Sequence, residues 1–190
     1  FRLIRKVASG RKFQQELKSL TRVARDTYVS CADLILKVLA VRSRVLSMRI
    51  DLYFEGDAKL ISESEAARLA IDKFVDNLGK GRIIDDVVAY IVVREDGLDR
   101  CIHFHCWICV DGHKHRDGYH LTEKLGDYWM ENCIGSPVLG ATKNCWERRA
   151  EYEHNSLGLL GPNDEEMLRG LREALAYMCK LGKMPHLYVK

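Results

Sequence analysis

The sequence predicts an α+β fold: a central, mainly antiparallel sheet of about five strands flanked by helices, with a helical arm in front. Three observations predict it. Residues 47–54 alternate, with Met48, Ile50, Leu52 and Phe54 on one side, which is the period-two pattern of a half-buried strand. Two β-branched and aromatic runs, Val87 to Val93 and Cys101 to Val110, are separated by Glu95-Asp96-Gly97-Leu98-Asp99, the chemistry of a tight turn. Between and after these strands, apolar residues recur at helical spacing.

Taken in order, residues 1–46 read as a basic helical arm. Phe13, Leu17 and Leu20 share one helical face, as do Ala32, Ile35, Leu36 and Leu39, with breaks expected at Gly10 and near Thr27. After the first strand, Gly56 and Asp57 turn the chain, and Ser62 with Glu65 forms a capping box that opens a helix. Ala66, Leu69, Ala70 and Phe74 form its apolar face, and Gly79 ends it. The hairpin follows, then a His- and Gly-rich loop from Asp111 to His120. Leu121, Leu125 and Trp129 mark a short helix ending at Gly135, and Val138 to Trp146 reads as another strand. Asn163 and Glu166 fit a second capping box, in front of a helix striped by Met167, Leu171, Ala174, Leu175 and Met178. His186 to Lys190 reads as the start of a last strand. The expected division is an arm over 1–46 and a functional domain over 47–190.

Composition bounds the function. The chain has 190 residues, 47% hydrophobic and 30% charged, in the range of an ordinary globular protein. No apolar run approaches the roughly 20 residues that span a bilayer, and no secretory leader is visible. Beginning at Phe1, the chain reads as a trimmed or processed piece. Seven cysteines without an export signal point to a reducing cytoplasm and free thiols. The net charge of +3 hides an asymmetry: residues 1–49 carry 12 Lys/Arg against three acids, so the remainder is acidic. A basic arm on an acidic body points to a polyanionic partner, although a solvated helical face has the same composition. There is no Walker A motif, so no ATP-driven step is expected of this chain.

The chemistry concentrates in two places. In Ile102-His103-Phe104-His105-Cys106-Trp107, the two histidines are two apart on a strand and project from one face, where both imidazoles can hold one ion. Two unrelated histidines would look the same. Glu95, before the turn, shares their odd parity. If the hairpin pairs odd with odd, it completes a set of two imidazoles and one carboxylate. Asp51 is a second candidate ligand. A competing zinc reading uses Cys106-Trp107-Ile108-Cys109, but within a strand those thiols face opposite sides. His113, His115 and His120 read as loop residues. In the last helix the face left free by the apolar stripe carries Gly170, Glu173, Tyr177 and Lys180. Tyr177 and Lys180 are three apart and therefore neighbours, a phenol beside an ammonium. Tyr152, in a polar Glu-Tyr-Glu-His setting, is an additional tyrosine without a supporting motif.

In this order, His103-Phe104-His105 and Tyr177-Met178-Cys179-Lys180 resemble the signature of the HUH endonucleases. An acid seven or eight positions before the first histidine is a frequent third ligand there, and Glu95 fits. Arg49-Ile50-Asp51-Leu52, Val93-Arg94-Glu95-Asp96-Gly97 and Ala174 to Lys180 are further similar to the inovirus-type rolling-circle replication initiators of filamentous phages and prophages. The likeness runs over about residues 45–182. It departs at Leu181-Gly182, where a short polar pair is expected. The resemblance implies a ferredoxin- or RRM-like HUH domain that nicks and rejoins single-stranded DNA. Mg²⁺ or Mn²⁺ would sit on Glu95, His103 and His105, with Tyr177 as nucleophile and Lys180 beside it. It also implies a hairpin-associated replication origin as partner, a host helicase and polymerase, no membrane, and the cytoplasm of a bacterial host. Arg49, Trp107 and Tyr119 are the expected DNA contacts, with the basic arm on the backbone and the aromatics stacking on bases. The other readings are a non-catalytic DNA-binding derivative of the same fold, a relaxase or transposase of the class, and a structural zinc module.

Overall fold

The computed structural model describes residues 10–55, 65–97, 101–135, 139–180 and 183–184. The order is α1 (Arg11–Val41), β1 (Val45–Phe54), α2 (Glu65–Gly79), β2 (Val87–Gly97), β3 (Cys101–Asp111), α3 (Gly118–Tyr128), β4 (Gly140–Asn144), β5 (Gly158–Leu160), α4 (Glu165–Met178) and β6 (Lys183–Met184). The fold is α+β, as expected. The strands form one antiparallel sheet in the order β4-β1-β3-β2-β6, and β5 pairs the start of β1 beside β4.

Alternation along the strands makes two cores. The even-numbered side chains of β1 and β3, from Leu46 to Phe54 and from Ile102 to Val110, pack beneath α2 and α3 around Phe74, Leu125 and Trp129. The opposite face, with Val45, Ile91, Val93, Trp107 and Cys109, packs beneath α4 and the C-terminal half of α1. A bulge between Val87 and Ala89 brings β2 into this phase. Because side chains alternate, a polar residue of odd number on β1 or β3 lies on the α4 face.

Several elements differ from expectation. α1 is one continuous helix from Gly10 onward, and Thr27 is buried within it. Its second half contributes Cys31, Leu34, Ile35, Val38 and Leu39 to the core and is no separate arm. Phe13, Leu17 and Leu20 remain exposed. The last helix is capped one residue later than expected: Asp164, not Asn163, accepts from the Met167 amide. α3 runs on into a turn of π-helix over Trp129–Ile134, closed by Gly135 in the left-handed conformation. The expected Ser62 cap and His186–Lys190 strand lie outside the described residues. No helix among the described residues is long and apolar enough to cross a membrane.

Candidate metal centre and tyrosine

The site begins in the hairpin register. Glu95 lies opposite His103 and Val93 opposite His105, so odd does pair with odd. On its other edge β3 meets β1, with Asp51 opposite His105 and Tyr53 opposite His103. All these side chains share the α4 face. Glu95, His103 and His105 bring their ligand atoms within 4.8 Å of one another, and this cluster could hold a metal ion. Glu95 Oε2 stands 2.6 Å from His105 Nε2 and 3.2 Å from His103 Nε2. Two lone-pair-bearing atoms at 2.6 Å need a proton or a cation between them, so the donor set fits a cation.

Asp51 lies behind this cluster and is no ligand of it. Its Oδ1 is 2.7 Å from His105 Nδ1, the ring nitrogen turned away from Glu95. A carboxylate only accepts, so with a cation on Nε2 the hydrogen of the neutral ring belongs on Nδ1, directed at Asp51. Arg49, two residues earlier, donates to Asp51 Oδ1 from Nε and Nη2, both at 3.2 Å. The Asp51 side chain is 4% exposed and that of Arg49 13%. Burial alone would raise the Asp51 carboxyl, but the His105 hydrogen bond and the Arg49 charge prevail and hold it at about 2. His103 is fixed differently, stacked on Tyr53 with ring centroids 5.1 Å apart.

Tyr177 comes from α4. Leu171, Leu175 and Met178 anchor that helix in the core, which leaves Tyr177 42% exposed over the cluster. Its ring meets the His105 ring edge to face at 5.6 Å. Two cations flank it: Arg49 Cζ at 5.4 Å and Lys180 Nζ at 4.7 Å from the ring centroid. The Tyr177–Lys180 pair thus stands beside the histidines, although it lies over seventy residues further along the chain.

A cavity of about 360 Å³ opens from this centre. Arg49, His103, His105 and Tyr177 line it, together with Lys143, Tyr152, Glu153 and His154. The segment carrying Tyr152 to Ser156 has little regular structure and gave no periodic signal in the sequence. It reaches the site because Gly170 of α4 lacks a side chain: a Cβ there would stand 2.4 Å from the His154 carbonyl oxygen.

One expected DNA contact is overturned. Trp107 does share the histidines' face, but it lies under α1 and α4, is 2% exposed, and donates its indole N–H to Ser47 Oγ at 2.9 Å. No base can reach it. Tyr119 opens α3, which packs on the opposite face of the sheet, and is not among the cavity's residues. Arg49 does line the cavity, with its guanidinium engaged by Asp51. Cys106 and Cys109 fall in different cores, as strand alternation requires, and the metal cluster contains no cysteine.

No protein-family model, curated protein or solved structure matches the chain.

Proposed function

We propose that the chain is an HUH-type endonuclease that nicks and rejoins single-stranded DNA, initiating rolling-circle replication of a phage or other mobile element in a bacterial host. The observation that carries the reading is the Tyr177 ring set against His105 of the Glu95–His103–His105 cluster. Tyr177, both histidines and Arg49 line one open cavity, and Lys180 stands against the Tyr177 ring.

Glu95, His103 and His105 would hold Mg²⁺ or Mn²⁺, which when bound supplies Lewis-acid polarisation of the scissile phosphate. The rest of the chemistry belongs to the chain. Asp51 keeps His105 in the tautomer that leaves Nε2 free. Tyr177 Oη forms a bond to phosphorus and the P–O3′ bond breaks. The 3′ oxygen leaves as a hydroxyl, so the proton lost by the phenol is balanced there. The protein retains a 5′-phosphotyrosyl link. Lys180 and Arg49 offset negative charge as it develops near the ring. A later 3′-hydroxyl attacks the link and restores the phosphodiester, without ATP.

The test mixes the protein with labelled single-stranded oligonucleotides, with and without Mn²⁺, and resolves them on a denaturing gel. A metal-dependent covalent band, absent from Tyr177→Phe, is expected. DNA binding with no such band would leave the non-catalytic derivative as the correct reading.

A further inference from the structure

Lys143 and the segment carrying Tyr152 line the cavity but have no part in the chemistry above. Tyr152 is 38% exposed and lines the cavity, with its hydroxyl beside Cys145. Cys145 is fully buried, so the polar end of Tyr152 lies against the protein and its ring is what the side chain offers to the cavity. Lys143 lies beside it on β4, paired in register with Asp51 and so on the same sheet face. Among the described residues, no carboxylate lies within ion-pair distance of the Lys143 ammonium. A stacking surface beside an unpaired cation suits a base and its phosphate, and a cavity of 360 Å³ is in the size range of small-ligand sites.

We propose that Tyr152 and Lys143 form a nucleotide subsite: one base next to the scissile phosphate stacks on Tyr152, and its phosphate meets Lys143. This rests on the reading of the protein as a single-strand DNA nickase, and it places the stacking function, which the sequence assigned to Trp107 and Tyr119, on a different residue. Tyr152 is a platform here and not a second nucleophile. Burial, together with the adjacent Cys145, raises its hydroxyl to about 12, away from the phenolate that an attack needs. The short segment that carries it is held against α4 at Gly170, so the distance between the two tyrosine-bearing segments is set by backbone packing.

The test is a single-abasic scan. Oligonucleotides with one abasic site moved along the sequence are titrated against wild type, Tyr152→Phe, Tyr152→Ala and Lys143→Ala, by fluorescence anisotropy without divalent metal. Wild type is expected to lose about tenfold in affinity at one position, the size of one stacked base. Tyr152→Phe should behave as wild type, which also shows that the site folds. Tyr152→Ala should lose the same tenfold on intact DNA and become indifferent to the abasic site at that position. Lys143→Ala should weaken binding at every position and lower the salt dependence. Unchanged affinity in Tyr152→Ala, or a loss that stays sensitive to the same abasic site, overturns the subsite. So does failure of wild type to bind any oligonucleotide. A loss confined to Tyr152→Phe covalent chemistry in the presence of Mn²⁺ would make Tyr152 a nucleophile and also overturn it. The nickase reading fails separately: the expected abasic pattern without a Tyr177 adduct sinks that reading and leaves the subsite standing.

Discussion

Asp51 and His105 face each other across β1 and β3, and the Asp51 carboxylate accepts from His105 Nδ1 at 2.7 Å. The imidazole is thereby oriented from behind, on the side away from Glu95. Such a carboxylate fixes ring orientation and tautomer, and its loss ordinarily weakens a metal site by about 10- to 100-fold. Asp51→Asn is therefore expected to lower Mn²⁺ affinity by that factor while single-stranded DNA still binds. Calorimetric titration with Mn²⁺ measures the first and anisotropy the second.

The same carboxylate gives a pH signature in the metal-free protein. Its folded value, about 2, lies below the ordinary value of 3.8. A depressed acid contributes stability that is fully present above the ordinary value and is lost as the pH falls towards the folded one. The contribution is about 2 kcal/mol. Urea titrations in chelator at successive pH values should show it disappearing between about pH 4 and pH 2, and Asp51→Asn should flatten that part of the curve.

Gly170 allows the 154–155 backbone to touch α4. Helix propensity alone predicts that Gly170→Ala stabilises by about 1 kcal/mol. The close approach predicts the reverse, because a Cβ would meet backbone and not a flexible side chain. A net loss of about 2 kcal/mol is expected in urea melts, together with weaker oligonucleotide binding as the Tyr152 segment shifts.

Lys180 sits beyond the end of α4, with its ammonium 4.7 Å from the Tyr177 ring. Lys180→Met should slow adduct formation by about a hundredfold, comparable to the loss of one charge-stabilising donor. Binding should change little, since Arg49 remains on the ring. Single-turnover kinetics at saturating protein separates the two.

Much of this arrangement was legible in the chain. Strand alternation put His103 and His105 on one face; Glu95 joined them on the condition that the hairpin pairs odd with odd, which the register meets but the sequence left open. It also kept Cys106 and Cys109 apart. What alternation does not carry is depth. Trp107 has the histidines' parity, but α1 extends far enough along the sheet to cover it, and helix coverage is a tertiary fact. That Tyr119 lies away from the cavity was hidden for a related reason: the side of the sheet on which a helix packs is not written in its own stripe. Asp51's role behind His105 depends on β1 pairing with β3, strands about fifty residues apart, which no local pattern specifies. Tyr152 was visible only as a polar-flanked tyrosine. Its segment has no period, and the Gly170 contact that places it gave no signal beyond a glycine within a helix.

The most direct test of the central claim is to locate the covalent bond. The protein is reacted with a single-stranded oligonucleotide in Mn²⁺, the DNA is trimmed by nuclease, and tryptic peptides are sequenced by mass spectrometry. A nucleotide mass on the peptide Glu173 to Lys180, at Tyr177, is the result predicted. A nucleotide on any other residue, or an oligonucleotide cleaved by this protein with no peptide modified, would contradict the account.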